Sequence, residues 1–222
     1  MNKQRGVTVL ELMIALTILL VVSALGALLL QSTTRAALRT TMRTEMSQQA
    51  LVAMQRLLTD LRHSCCSGIA IRSGSSPLAI AICPLSQPDF RPGQQSAVLN
   101  NGELVWSDYF QIYHYDANLK TLNYREWPPG APSATAEELD VTKPRRLSAG
   151  RIAEIVNNPP PREVTLISGL TEFQITYPPG GSDLLIIQPV IVKFTLQRKG
   201  NTGRPDPETC TLQRSFFLPE QR

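Results

Sequence analysis

The sequence predicts an α+β protein in which one long N-terminal helix packs on a C-terminal domain of antiparallel β-sheet. Three observations predict this class. All 17 prolines lie between Pro77 and Pro219, so the first third of the chain contains none that would break a helix. Residues 12–30 form an uncharged run of 19 residues close to the N-terminus. Beyond Pro77, short alternating apolar runs are separated by Pro, Gly and Asn, as is typical of strands and turns.

Composition excludes several classes of protein. Of the 222 residues, 42% are hydrophobic and 18% are charged, which excludes a disordered chain, a multi-span membrane protein, a collagen and a coiled coil. The length allows one or two domains. The net charge of +4, without a long basic run, is too small to predict a nucleic-acid partner, although a role in a DNA-uptake machine stays open.

The N-terminal segment is predicted to cross a membrane once. At about 1.5 Å per residue, the uncharged run is roughly 28 Å long, close to the thickness of the hydrocarbon core of a bilayer. Lys3 and Arg5 precede it and predict a cytoplasmic N-terminus. We therefore expect residues 7–30 to span a membrane and the chain beyond residue 30 to lie on its outer side.

Glu11 lies one helical turn into this segment, where a carboxylate is costly unless it has a partner. A cut after Gly6 would give Val7 a new α-amino group, one helical turn before Glu11. A glycine immediately before the cut lets a protease approach the backbone closely. The spacing therefore predicts that cleavage supplies the counter-charge of Glu11.

The stretch Gly6-Val7-Thr8-Val9-Leu10-Glu11-Leu12 resembles the class III signal of type IV pilins and type II secretion pseudopilins. The resemblance implies that prepilin peptidase removes residues 1–6 as a leader and N-methylates Val7. It also implies that Glu11 pairs with the N-terminal amine of a neighbouring subunit during filament assembly. The chain departs from the family in two ways: Val7 replaces the usual Phe, and the helix-bending proline of major pilins is absent.

Other interpretations of the N-terminus stay open. A secretory signal peptide could end near Ser23 or Leu25, although Glu11 would then lie inside its apolar region. A plain single-pass anchor is the second alternative. Glu11 itself has a further alternative, which is pairing with the amine of its own chain or with the positive end of the helix dipole.

The helix is predicted to continue as an amphipathic segment over residues 31–63. Apolar side chains recur there every three or four residues from Leu38 to Leu61, as packing against one folded domain requires. Arg35, Arg39 and Arg43 form a second stripe. This basic stripe could contact lipid headgroups, form salt bridges with neighbouring subunits, or remain a solvated face.

Residues 64–222 are predicted to form an exported β-rich domain. Residues 109–115 and 119–127 form a hairpin around a turn at 116–118. Residues 128–162, rich in Pro and charge, form a long irregular excursion with short helical turns near 136–140 or 149–156. The remaining candidate strands are 68–72, 78–83, 103–106, 164–167, 171–177, 190–198 and 209–218.

The last third of the chain carries a weaker resemblance. Residues 164–177, 189–196 and 214–219 are similar to the ending of the J-type minor pseudopilins of type II secretion, and PilW-like minor pilins share much of this pattern. The resemblance implies a structural subunit at or near the tip of a pseudopilus or pilus. Its implied partners are prepilin peptidase, other minor and major pilins or pseudopilins, and the inner membrane. The resemblance also implies that the C-terminal domain is periplasmic or extracellular.

The remaining candidate chemistry lies in Cys65, Cys66, Cys83 and Cys210. Adjacent cysteines bridge each other only with strain, so one of Cys65 and Cys66 is expected to pair with Cys83 or Cys210 in an exported domain. A zinc site is the alternative, but it lacks paired CxxC spacing. With no catalytic motif, the sequence predicts neither an enzyme nor a cofactor. The rival function is a membrane-anchored or secreted β-domain that binds a ligand alone.

Overall fold

The computed structural model describes residues 8–73, 78–86, 99–100, 103–127, 146–158, 163–178, 188–198 and 207–217. Their secondary structure confirms the predicted α+β class, with a long apolar N-terminal helix and antiparallel sheets. The chain divides into two compact units, residues 1–44 with 199–208 and residues 45–198 with 209–222. Helix α1 (Val9–Arg62) contributes its first part to the former unit and its second part to the latter.

The first part of α1 is a helix with an apolar surface on all sides. Every side chain from residue 9 to residue 30 is exposed, and this stretch is long and apolar enough to cross a membrane. Within this stretch Thr17 Oγ1 donates to the carbonyl oxygen of Ile14 (2.8 Å), and just beyond it Ser32 Oγ donates to that of Leu29 (2.9 Å). Such bonds satisfy polar side chains where water is excluded.

The second part of α1 is amphipathic, and its apolar side chains are buried at intervals of three or four residues. The buried stripe begins at Met46, later than the sequence predicts, because Leu38 is 52% exposed and Met42 is only half-buried. Leu57 is fully buried at the centre of the stripe. The buried residues of the helix are Met46, Ala50, Ala53, Met54, Leu57 and Leu61.

A five-stranded antiparallel sheet has the order β1-β2-β5-β6-β7. In the sequence, the short antiparallel pair β3–β4 lies between β2 and β5. The strands are β1 (Ile69–Arg72), β2 (Leu78–Ile82), β3 (Leu99–Asn100), β4 (Glu103–Leu104), β5 (Phe110–Asp116), β6 (Thr121–Trp127) and β7 (Val164–Ser168).

Both faces of this sheet are covered. Ile80, Ile82 and Tyr113 belong to the apolar cluster that contains the buried stripe of α1. Ala79 and Ala81, which alternate with those isoleucines along β2, belong to a second apolar cluster. Because successive side chains of a strand point to opposite faces, the run Leu-Ala-Ile-Ala-Ile presents larger residues to α1 and small ones to the other side.

The hairpin β5–β6 confirms the sequence prediction to within two residues at each strand end. Phe110 pairs with Trp127 at the open end and Asp116 with Thr121 at the turn. The Asp116 carboxylate accepts hydrogen bonds from the backbone N–H groups of Asn118 (2.8 Å) and Leu119 (3.0 Å). This side chain therefore closes the turn, as aspartate commonly does.

The remaining strands form a three-stranded sheet with the order β10-β9-β8. Its strands are β8 (Leu170–Thr176), β9 (Val190–Arg198) and β10 (Glu208–Phe216). The chain passes from β7 to β8 at Gly169, whose φ of +75° favours glycine, and a Cβ there would lie 3.1 Å from the carbonyl oxygen of Gln197. Phe173 and Phe194 face the same core as α1, with ring centroids 5.4 Å apart.

Helix α2 (Ala149–Asn157) confirms one of the two helical turns predicted within the excursion over residues 128–162, and it is nine residues long. Ser148 begins this helix, because its Oγ accepts a hydrogen bond from the N–H of Arg151 (3.2 Å). Ile152, Ile155 and Val156 bury its apolar face in the second cluster, on the alanine side of the five-stranded sheet. The other predicted helical turn, at 136–140, lies outside the described residues.

Candidate functional site

Thr8 and Glu11 form a reciprocal cap at the start of α1. The N–H of Thr8 donates to Glu11 Oε2 (3.0 Å), as does Thr8 Oγ1 (3.1 Å). In return, the N–H of Glu11 points to Thr8 Oγ1 (3.3 Å). This arrangement is a capping box, which satisfies backbone N–H groups that a helix N-terminus leaves without partners.

The cap places Glu11 at the expected point, at the start of the apolar helix. The sequence prediction overlooked Thr8, although the pattern Thr-x-x-Glu before an apolar run is the signature of a capping box. The predicted orientation residues Lys3 and Arg5 and the predicted cleavage residues Gly6 and Val7 lie outside the described residues. Their roles therefore stay predictions.

In the first part of α1, from Val9 to Leu30, no described residue covers the apolar side chains. Large side chains from Val9 to Leu30 are 50–77% exposed. Exposed area of this kind on one helix is strongly unfavourable in water. The segment therefore requires a surrounding apolar medium, either lipid tails or other helices.

The basic stripe of α1 is only partly a solvated face. Arg43 Nε donates to Glu208 Oε2 (2.7 Å), and Arg39 Nε lies 3.7 Å from the other oxygen of the same carboxylate. Glu208 begins β10, so the pair joins this strand to the helix within the first unit. Arg35 makes no ion pair with another described residue and stays exposed.

The predicted cysteine sites are thiols in this structure. Cys65 and Cys83 are both buried in the second apolar cluster, near one end of the five-stranded sheet. Cys66 Sγ lies 3.3 Å from Gln188 Nε2. Cys210 Sγ lies 3.3 Å from Ser47 Oγ on α1. Disulfide pairing stays a prediction. No metal-binding group of three His, Cys, Asp or Glu occurs among the described residues.

A polar cluster of three buried residues, His114, Asn123 and Arg125, with Glu163 at the surface, is the feature that the sequence prediction missed. Arg125 is 1% exposed, and its guanidinium donates to Glu163 Oε1 (2.8 Å) and to the carbonyl oxygen of Ile155 (2.8 Å) at the end of α2. His114 Nε2 lies 3.1 Å from the same Glu163 oxygen. Burial, together with the charge of Arg125, lowers the pKa of His114 to about 4. The cluster ties α2 to the sheet, which is a structural role.

The N-terminal geometry agrees with a comparison against known protein families. The family model for the prokaryotic N-terminal methylation motif matches residues 1–27. This match supports a type IV pilin-like protein. Processing by prepilin peptidase and assembly with other pilins follow for a pilin-like chain, and the apolar start of α1 fits its anchoring in a membrane. No curated protein and no solved structure matches the chain.

Proposed function

We propose that this pilin-like chain is a minor pilin or pseudopilin, a structural subunit placed at or near the tip of a type II secretion pseudopilus or a type IV pilus. One observation carries the proposal: the methylation motif coincides with the first part of a helix, and no described residue covers the apolar surface of that part. A subunit that must first reside in lipid and then pack among other helices needs such a surface.

Insertion is the first step of the proposed mechanism. Lys3 and Arg5 hold the N-terminus on the cytoplasmic side while residues 7–30 enter the bilayer. Peptidase then cuts after Gly6 and methylates the amine of Val7. The β-rich domain folds on the far side of the membrane, where it meets other subunits.

Glu11 directs the second step, in which the subunit leaves the bilayer. In the single chain its carboxylate accepts hydrogen bonds from Thr8 alone among the described residues. A positively charged amine of a neighbouring subunit would form a stronger, charge-assisted contact with that carboxylate. Helix contacts then replace lipid contacts along the apolar surface, and the ion pair sets the axial position of one subunit on the next.

The position at the tip and the J-type class rest on the resemblance of the last third of the chain. An exported domain with two sheets and a second helix is bulky for a filament body, which supports a subunit present in few copies. This step is an analogy with the family, since a fold alone does not fix a function.

Mass spectrometry of the protein isolated from cells tests the maturation step. We expect a mature N-terminus that begins with N-methylated Val7. A start near Leu25 or Ala27 would instead identify a signal peptide and a secreted β-domain. Retention of Met1 would identify a plain anchor, so either result overturns the proposal.

A Glu11→Ala variant tests the assembly step. We expect normal cleavage but loss of the chain from sheared filaments, because the variant cannot receive the neighbouring amine. Glu45→Ala is the matched control: Glu45 is exposed on the same helix, outside the apolar segment, and pairs with Arg198 at 3.2 Å. Incorporation of both variants at the level of the native chain would contradict the role of Glu11.

A further inference from the structure

A cavity of about 650 Å³ lies beside the end of α1, between the segment that follows β2 and the segment that precedes β5. Backbone hydrogen bonds fix its walls. The N–H of Ser86 donates to the Val105 carbonyl (2.8 Å), and the N–H of Ser107 donates to the Pro84 carbonyl (2.9 Å). The N–H of Leu85 donates to the carbonyl oxygen of His63 at the end of the helix (2.8 Å). The cavity is therefore pre-formed, as binding sites usually are.

Two hydrogen-bond acceptors, on Gln111 and Asp108, lie at this cavity beside the hydroxyl groups of Ser86, Ser107 and Tyr109 and the ring of His63. Gln111 lines it, and its Oε1 is buried without a hydrogen-bond partner among the described residues. The same side chain also forms a hydrogen bond with the side chain of Asp60. The exposed carboxylate of Asp108 lies at the edge. A buried oxygen without a donor is costly, so a ligand that donates a hydrogen bond there would be favoured.

Carboxylates surround the Tyr109 side of the cavity, and His63 lies in its wall. Burial raises the pKa of Tyr109, and the carboxylates of Glu126, Asp60 and Asp108 raise it further. Arg56 lies over the ring of Tyr124 (3.9 Å from its centroid) and does not line the cavity. An anionic ligand would be repelled here, whereas a cation would be attracted.

We propose that this cavity binds the basic side chain of an arginine or lysine that another polypeptide presents. The charged head would donate to Gln111 Oε1 and Asp108, next to the ring of Tyr109, and the contact of a cation with an aromatic ring adds to the attraction. Leu85 and Val105 in the walls would contact the methylene stem. The proposal does not depend on the chain entering a filament.

The binding test uses the full chain in detergent micelles and follows the two tryptophan indole N–H signals by NMR. Titration with N-acetyl-arginine amide is expected to shift the signal of Trp106, which lines the cavity, in a saturable way. Trp127 packs against Phe110 and Arg151 and is the internal reference. N-acetyl-citrulline amide has nearly the same shape without the charge, and we expect it to bind about tenfold more weakly or not at all.

Two variants locate the site. Gln111→Met removes the unpartnered oxygen, and Asp108→Asn removes the charge at the edge; each is expected to weaken arginine binding about tenfold. Glu154→Gln, which removes one charge from the exposed side of α2, is the control and should leave binding unchanged. Equal binding of arginine and citrulline, no binding of either, or full binding by both variants would overturn the proposal.

Discussion

At the scale of single residues, two acidic side chains show how far the sequence predicts the site. Glu11 is conspicuous because a carboxylate within an apolar run calls for a partner, and its position is fixed by chain order alone. Its partner in the single chain, Thr8, follows from a local pattern. Glu163 instead meets His114 and Arg125 through tertiary packing, so no spacing in the sequence predicts that contact.

His114 gives a pH-dependent prediction at this scale. Its pKa is about 4 in the folded chain and about 6.5 when unfolded, because burial and Arg125 favour the neutral ring, while Glu163 and Asp116 oppose this more weakly. The unfolded chain therefore binds the proton first, and stability falls as the pH drops from about 6.5 towards 4. We expect a loss of about 2 kcal/mol in the free energy of unfolding between pH 7 and 5.

Chemical denaturation of the full chain in detergent at both pH values measures that loss. His114→Gln should have a flatter profile, because it removes the titrating ring. His63→Gln, which changes the only other histidine, should keep the profile of the native chain. An equal loss in native chain and His114→Gln would show that another group is responsible.

At the scale of elements, the sequence predicts what local patterns determine. The hairpin β5–β6 is predicted because Asp116 and its neighbours carry turn chemistry between two alternating runs. The long helix is predicted because nothing interrupts it before Arg62. The residue at which its buried stripe begins is not predicted, because Leu38 and Met46 have similar side chains and only tertiary packing decides which of them is covered.

The contact of Glu208 with the basic stripe gives a prediction for an element. Glu208 lies 15% exposed between Arg39 and Arg43 at the start of β10, and Arg43 is 65% exposed. Exposed ion pairs contribute about 0.2–1 kcal/mol, so we expect a coupling of that size between Arg43 and Glu208. Raising the salt concentration to about 1 M should reduce it, because the Debye length then falls to about 3 Å.

A double-mutant cycle of Arg43→Ala and Glu208→Ala measures this coupling by amide hydrogen exchange in the first residues of β10. Arg35→Ala combined with Glu208→Ala is the parallel cycle, in which we expect no coupling. A coupling near zero between Arg43 and Glu208, or an equal coupling between Arg35 and Glu208, would show that the basic stripe is a solvated face.

At the scale of the whole molecule, the decisive feature is that the five-stranded sheet is covered on both faces. One face packs on the second part of α1 and the other on α2. The sequence does not predict this, because a short apolar run such as 78–82 indicates only that the strand is buried. It does not indicate which elements cover the two faces of the sheet. The sequence predicts a helical turn at 149–156, where α2 forms, but the place of this helix over Ala79 and Ala81 depends on strand order.

The core between α1 and the sheets gives the last prediction. Leu57 is fully buried there, so Leu57→Ala would leave a cavity in close-packed surroundings and should lower the free energy of unfolding by about 2–5 kcal/mol. Leu51→Ala is the matched control: Leu51 lies on the same helix but is 39% exposed, so its truncation should cost well under half as much. Denaturation of both variants, followed by circular dichroism in detergent, measures the difference. Since residues 9–30 make no core contact within their unit, the apolar segment should remain helical in Leu57→Ala after the β domain unfolds. Equal losses in the two variants would mean that this part of α1 does not pack on the sheets as described.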